Sequence, residues 1–563
     1  MSYDLKKYLP TTLKEVQLRG WNELDVILFS GDVYVDHPSF GVSVIGRVLE
    51  NANYRVAIVP QPDWRGDGRD FTKLGKPRLF FGVSAGCMDS MVNHYTANRR
   101  LRSNDAYSID GKAGMRPDYC TTTYCQQIRK YFVDVPIVIG GIEASMRRLS
   151  HYDYWSDTLM PSILVSSKAD LLVYGMGERS MLAIAQEVEK NGKIPHNIPQ
   201  TAYLTPEKPS NDDAIELYSY EDELTSKEKH ALNFRTIEIE SNKIQAHTLI
   251  QATENQYVTV NPPYPTMTTE ELDAIYDLPF QYLPHPKYKN HTIPAYDMIQ
   301  FSVNIHRGCF GGCSFCTISA HQGKQIVSRS EKNIIKQIQK IASLPHYKGY
   351  LSDLGGPSAN MYGMRGKDLK VCEKCAKPSC IFPQKCNNLD DNFAPLLHLY
   401  REVDKLDCVK KAFVSSGIRY DLMTKEYGEE LITKHVSGRL KVAPEHIAPH
   451  VLTLMRKPSF EKYQTFRTFF YSTCKQKGLN QQLIPYFISS HPGCTEKDMQ
   501  DLKKWFQKTS YFPEQVQDFT PTPMTLSTTM YYTGINPYTN QKVYVAHSQQ
   551  DKLKQRSYFA KRK

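Results

Sequence analysis

The stretch NIHRGCFGGCSFCTIS, residues 304–319, places Cys309, Cys313 and Cys316 within eight residues, with glycines at 308, 311 and 312. Three thiols at offsets 0, 4 and 7 on so permissive a backbone restrict what the loop can hold. The run before it, MIQFSVNI (298–305), reads as a strand, so the loop sits at a strand end. Structural zinc usually takes four protein ligands, and this loop supplies three, with His306 and His321 flanking it as conceivable fourths. Three thiolates suit a [4Fe–4S] cluster with one iron left open for a non-protein ligand. The glycines suit a loop that must wrap a cube and bring its N–H groups close to sulfide.

A second cysteine group lies in VCEKCAKPSCIFPQKC (371–386), where Cys372, Cys375, Cys380 and Cys386 have the spacing C-x2-C-x4-C-x5-C. Four thiolates and two prolines make too little apolar mass to fold without a staple. Zinc in an all-thiolate site or an auxiliary iron–sulfur cluster would supply one. The other six of the 13 cysteines are scattered and read as small buried hydrophobes. Residues 1–20 are polar without an apolar leader core, and no run of about 18 apolar residues occurs. We therefore expect a cytoplasmic protein with no membrane partner, in a compartment where clustered thiols point to metal rather than disulfides.

The 563 residues exceed one core. In the N-terminal part LDVILFSG (24–31), RVAIVP (55–60), PRLFFGVSA (77–85), VPIVIGGIEAS (135–145) and ADLLVYGMG (169–177) read as strands. Residues 40–54 and 178–192 have helical apolar spacing. That alternation predicts an α/β fold with a mostly parallel, doubly wound sheet over 1–200, working at loops marked by Gly31, Gly140, Gly141, Gly175 and Gly177. Residues 201–290 read as linker and insertion, with a helix opening at TTEEL. From 291 to 540 strands and helices alternate again (349–356, 410–417, 438–445 and 482–490 as strands; 331–344 as a helix). This predicts a full or partial (β/α) barrel with the four-cysteine insertion at 371–388. Residues 541–563 form a basic tail, read as a solvated terminus with RNA contact as the alternative; the net charge of +11 does not by itself make the chain a nucleic-acid binder.

CxxxCxxC after a first barrel strand, with Phe315 before the last cysteine, resembles the radical S-adenosylmethionine superfamily. The resemblance extends over nearly all of residues 20–540 to its YgiQ-type proteins, through NHYTANRRLRSNDAYS, VIGGIEASMRRLSHYDYW, SDLGGPSANMYGM, KVAPEH and QDFTPTPMTLSTTMYYTG. It implies a [4Fe–4S] cluster on Cys309, Cys313 and Cys316, and S-adenosylmethionine chelated to the open iron. Reductive cleavage would give methionine and a 5′-deoxyadenosyl radical that takes hydrogen from a substrate. Phe315 would pack near the adenine, and Gly355 and Gly356 would hold the amino group, although Pro357 stands where the superfamily has an acid. Ser415, Ser416 and Arg419 would face the ribose and carboxylate, with Glu445 and Pro485 on the next rim positions. A flavodoxin or ferredoxin is the implied electron donor.

By the same resemblance the N-terminal sheet is like a cobalamin-binding domain. The cobalt-ligand pattern DxHxxG is not matched, because Asp36 and His37 are adjacent. We expect a degenerate sheet that docks substrate, with cobalamin the lesser alternative. Against the radical enzyme stands a metal-stabilised RNA- or protein-binding factor with both cysteine groups structural.

Overall fold

The apolar runs of the first half become five parallel neighbours because both of their faces are covered: β1 (Val26–Ser30), β2 (Val56–Pro60), β3 (Phe80–Ser84), β4 (Ile137–Gly140) and β5 (Leu171–Val173). Their order is β2-β1-β3-β4-β5, so the winding reverses between β1 and β3. The computed structural model describes residues 4–509, 511 and 513–559. It divides into one unit of Met1–Ser226, Gln245–Pro265 and Ala274–Gln300, and a second of Lys227–Ile244, Thr266–Asp273 and Phe301–Lys563.

Helix Glu178–Asn191 shows why the flanking layers form. Met181, Ile184, Ala185 and Val188 bury one face, and Gly192 ends the helix in the left-handed region, returning its N–H to the Val188 carbonyl. Helix Gly41–Asn51 packs as closely, since a Cβ on Gly46 would lie 2.4 Å from Leu9 Cδ1.

Residues 201–290 are not the linker that their polarity implied. They supply β6 (Thr201–Thr205), β7 (Ile215–Glu216), β8 (Leu249–Thr253) and β9 (Gln256–Val260), which extend the sheet to nine strands in the order β7-β8-β9-β6-β5 and onward. The pairs β5–β6, β6–β9 and β9–β8 are antiparallel. Helix Lys227–Ser241 belongs instead to the second unit, where Phe234 joins Leu526 and Met530 in a small core.

The second unit is a partial (β/α) barrel. Its strands are β10 (Ser302–Asn304), β11 (Tyr350–Leu351) and β12 (Asp353–Gly355) as two halves of one run, β13 (Lys411–Ala412), β14 (Arg439–Glu445), β15 (Gln482–Ser489) and β16 (Gln515–Asp518). All pairs are parallel: β10 with β12, β11 with β13, and β15 with β14 and β16. The run 298–305 is a strand only from Ser302, because Pro294–Ile299 is helical. Helix Glu331–Ala342 crosses from β10 to β11, capped by Ser330 and burying Ile334, Ile338 and Ile341. Each of those isoleucines contributes about 1.5–3 kcal/mol.

The basic tail is not a loose terminus. Gln549–Ser557 is a helix whose Gln555 accepts from the Ser490 N–H and donates to the Cys494 carbonyl. Lys552 donates to the Tyr531 hydroxyl, and Arg556 pairs with Asp518. The last four residues of the tail, 560–563, lie outside those described. Among the described residues no helix is long and apolar enough to cross a membrane.

Candidate cluster and cofactor site

The three-cysteine loop is closed at its base by a short antiparallel pair, His306–Arg307 with Val327–Ser328. Buried Arg329 anchors that base, donating to the Asn304 carbonyl and to the side chains of Asn333 and Gln337. The Cys309 N–H donates to the Gly323 carbonyl and the Cys316 N–H to that of Cys313. Two glycines are obligatory. Gly308 has φ +87° with its missing Cβ 2.0 Å from the Gln325 carbonyl oxygen, and Gly312 has φ +61° with its own 2.3 Å from that of Pro378.

Two buried cations face the thiols. Arg419 Nη1 is 3.6 Å from Cys313 Sγ, while its Nε and Nη2 grip Asp421 at 2.9 and 2.8 Å. Its backbone is fixed by Asn360, which accepts from its N–H and donates to its carbonyl. Lys457, the second cation, lies 3.7 Å from Glu445. Burial pushes the Cys316 thiol up to about 12, helped by Cys313 and Cys309 and opposed by Lys457. Burial likewise raises Cys309, with Arg419 and Lys457 opposing. Such thiols ionise when a metal takes them, and the cations offset the charge that results.

Gly355 and Gly356 end β12 where contact is close. A Cβ on Gly355 would lie 2.6 Å from Ser416 Oγ, and one on Gly356 2.5 Å from the His306 ring. His306 is fully buried, and both its ring nitrogens lack a partner among the described residues. Burial holds its pKa down to about 3, so the ring is neutral, with one nitrogen to donate and one to accept. Ser415 and Ser416 do not present free hydroxyl protons. Ser415 donates to the Ser352 carbonyl and Ser416 to Asp353, whose carboxylate also accepts both backbone N–H groups at 2.8 and 3.1 Å.

Pro485 lies in β15 opposite Val442, and the register slips there, three residues of β14 against two of β15. Pro444 sits inside the slipped stretch of β14 and, like Pro485 across from its start, offers no ladder N–H, which accounts for the bulge. The slip ends at Glu445, held at φ +66° against Lys457. Phe315 meets the His491 ring edge-on at 6.1 Å. His491 Nδ1 donates to the Pro492 carbonyl, so Nε2 accepts from Ser527, which accepts in turn from Ser314 within the loop.

The four-cysteine insertion docks on the same loop. Its ends are joined by the ribbon Arg365–Gly366 with Leu389–Asp390. The Cys380 N–H donates to the Phe310 carbonyl at 3.1 Å, and Ser379 Oγ to that of Gly311 at 2.9 Å. Buried Lys324 donates to the carbonyls of Lys377 and Cys375 at 2.7 and 3.2 Å. Burial pushes the Cys380 thiol up to about 11, with Lys324 opposing and Cys375, Cys386 and Cys372 adding to it, so the four sulfurs share one neighbourhood. Among the described residues, only Asp404, Glu430 and His435 bring three ligand atoms within 4.8 Å of one another. Neither cysteine group is drawn in that far, and neither includes His306 or His321 as a close fourth ligand.

Asp353, Asn360, Lys324, Lys457 and Ser527 were not singled out in the sequence. Only Asp353, two residues before Gly355 in SDLGG, carried a local signal.

A family model described as "Radical SAM N-terminal" matches residues 8–302. "UPF0313 protein" of Bacteroides thetaiotaomicron is 57% identical, with 99% of this chain and 94% of that one covered. The chain belongs to the radical S-adenosylmethionine superfamily, among its UPF0313 (YgiQ-type) proteins. The UPF0313 protein of Porphyromonas gingivalis is 55% identical over 99% of this chain and 90% of its own, and that of Methanocella arvoryzae 46% over 96% and 91%. Residues 514–561 match a domain of unknown function, DUF3362. Two solved structures of the radical S-adenosylmethionine methyltransferase TsrM from Kitasatospora setae are also similar. One holds tryptophan and aza-SAM (TM-score 0.48, 14% identity, 89% of this chain and 75% of that one). The other holds cobalamin and a [4Fe–4S] cluster (0.49, 13%, 89% and 77%).

The first unit's sheet has its own candidate site, the crevice at the β1/β3 reversal, and its own residues fill it. Arg116 bridges Asp105 at 2.9 Å and Asp32 at 2.9 Å and donates to the Ala85 carbonyl at 2.8 Å, all three charged groups being buried. A Cβ on Gly86 would strike the Asp32 carboxylate at 2.2 Å. His37 is buried, with Nδ1 accepting from the Ser39 N–H and the Tyr282 ring edge-on at 5.1 Å, while its Nε2 has no hydrogen-bond partner among the described residues.

Proposed function

We propose that this chain is a radical S-adenosylmethionine enzyme that takes hydrogen from an as yet unidentified substrate. The observation that carries the reading is the convergence, at one end of six parallel strands, of three loop thiols, buried Arg419 and Lys457, and a His306 ring whose nitrogens are unpartnered. Cys309, Cys313 and Cys316 would hold a [4Fe–4S] cluster, which when bound supplies the electron that splits the sulfonium of S-adenosylmethionine into methionine and a 5′-deoxyadenosyl radical.

The chain's own residues bind and shield. Arg419 and Lys457 offset the thiolate charge, and Asp353 ties the Ser415–Ser416 turn to Gly355, fixing the rim at which the amino and carboxylate groups would lie. His306 is placed to donate to one of those groups, and Phe315 against His491 offers an apolar wall for adenine. The crevice filled by Arg116, Asp32 and Asp105 in the first unit supports a sheet that serves substrate docking without cobalamin. The internal pairing of Lys552 and Arg556 leaves the tail fewer cations for RNA, which weighs against the binding-factor reading.

The test is anaerobic reconstitution with iron and sulfide, then S-adenosylmethionine and dithionite, with 5′-deoxyadenosine measured by mass spectrometry. Product well above a Cys309→Ala, Cys313→Ala, Cys316→Ala control is expected. Zinc at those cysteines and no product would overturn the reading.

A further inference from the structure

We propose that the insertion at Cys372, Cys375, Cys380 and Cys386 holds an iron–sulfur cluster and is the port through which an acidic one-electron carrier protein reduces the three-cysteine loop. The relay role rests on the function proposed above; the metal assignment does not.

The metal follows from spacing. Tetrahedral zinc with Zn–S bonds of about 2.3 Å draws its four sulfurs to within about 3.8 Å of one another. No three of these thiols come within 4.8 Å of one another, although all four share one neighbourhood. A cubic cluster gives each thiolate its own iron and keeps them further apart. Two donors already point at the sulfurs: Asn388 Nδ2 is 3.3 Å from Cys372 Sγ, and Lys324 Nζ is 3.6 Å from Cys375 Sγ. Hydrogen bonds to thiolate sulfur tune and stabilise such clusters.

The relay follows from docking. The Cys380 amide bonds the carbonyl of Phe310, so one hydrogen bond joins a cysteine of the insertion to the residue next to Cys309. Ser379 and Lys324 add further tethers, and Gly312 is packed against the Pro378 carbonyl. A purely structural staple would have no need to be sewn onto the other cysteine loop.

The partner follows from the outer face. Arg365, Lys367, Lys370, Lys374, Lys377 and Lys385 are all exposed, against only Asp368 and Glu373 among residues 365–386. Leu369 and Val371 stand 56% and 59% exposed between them. A basic rim around a small apolar centre fits a compact acidic partner and steers its approach. One electron leaves the reduced carrier, is held at the insertion, and passes to the loop; no atom or proton changes hands.

Two preparations test this. The Cys309→Ala, Cys313→Ala, Cys316→Ala protein, reconstituted anaerobically, should keep about four irons and a reducible paramagnetic signal. Zinc without iron there would overturn the metal assignment. A Cys375→Ser, Cys380→Ser protein should still have its loop cluster reduced by dithionite, while reduction by photoreduced flavodoxin, followed by electron paramagnetic resonance without S-adenosylmethionine, slows at least tenfold. Lys370→Glu with Lys374→Glu should slow it similarly with no loss of iron, which guards against misfolding as the cause. Flavodoxin reduction at the wild-type rate in both variants would overturn the port. A wild type that is reduced through the insertion but yields no 5′-deoxyadenosine would count against the enzyme reading and leave this one standing.

Discussion

The chain contains two sets of parallel strands whose carboxyl ends open onto loops, and the two edges end differently. In the first unit the crevice between β1 and β3 is closed by ions that satisfy one another, Arg116 between Asp32 and Asp105. In the second unit the corresponding rim gathers three thiols, a guanidinium that faces one sulfur while gripping Asp421, and a buried imidazole without a hydrogen-bond partner among the described residues. Charges that satisfy one another close an edge, whereas clustered thiols beside buried cations leave one open to a metal or a charged ligand. The function proposed above accordingly gives the first edge a scaffold role and the second the cofactor.

The comparison is broken most forcefully at Arg116. Arg116→Met leaves two buried carboxylates unpaired and should cost about 3–5 kcal/mol, read by denaturant unfolding. Adding Asp32→Asn and Asp105→Asn should recover at least half of that loss, because a structural ion cluster tolerates neutral replacement. Iron content should not change, and a loss of loop iron would show that the first edge is not merely a scaffold.

Next in size is Gly312→Ala, which puts a side chain at φ +61° and 2.3 Å from the Pro378 carbonyl oxygen. It should destabilise the protein by about 2 kcal/mol or more and loosen the insertion, seen as faster protease cleavage within 365–390. His306→Phe separates structure from binding. An apolar ring removes two unsatisfied buried nitrogens, so stability should hold or rise. Affinity for S-adenosylmethionine should fall about tenfold, or about 1.4 kcal/mol, by equilibrium dialysis. An unchanged affinity would make His306 a packing residue.

The smallest effect is a pH dependence. Burial raises the Glu445 carboxyl above its usual 4.5, with Lys457 opposing. A raised acid binds its proton more tightly when folded. Its contribution is therefore complete below that usual value and is lost as pH rises through the folded one. Glu445→Gln should thus gain on the wild type with rising pH, by about 2 °C in Tm between pH 4 and 8.

Most of the strands were legible because buried parallel strands are written as short continuous apolar runs, as in VILFS and VAIVP. The polar segment 201–290 misled because β6 to β9 extend the sheet, mostly antiparallel, at its margin, where strands such as Gln256–Val260 begin exposed. The tail misled for another reason: nothing local distinguishes a solvated basic helix from one whose Lys552 and Gln555 are buried against distant partners. In the site, the cysteines and glycines were legible because ligand spacing and left-handed backbone leave marks in sequence. Lys457 and Asn360 were not, since their roles come only from where the chain folds back. Ser415 and Ser416 do lie at the strand end beside Asp353, but their hydroxyls serve Ser352 and Asp353, a pairing that no spacing reveals.

The most direct measurement is hydrogen–deuterium exchange of the iron-reconstituted protein with and without S-adenosylmethionine. Protection should rise over 305–316, 353–361 and 415–421 and stay unchanged over 30–37, 84–87 and 105–116. Protection at the first unit's crevice, with none around the cysteine loop, would contradict the division of the chain into a closed scaffold edge and an open cofactor edge.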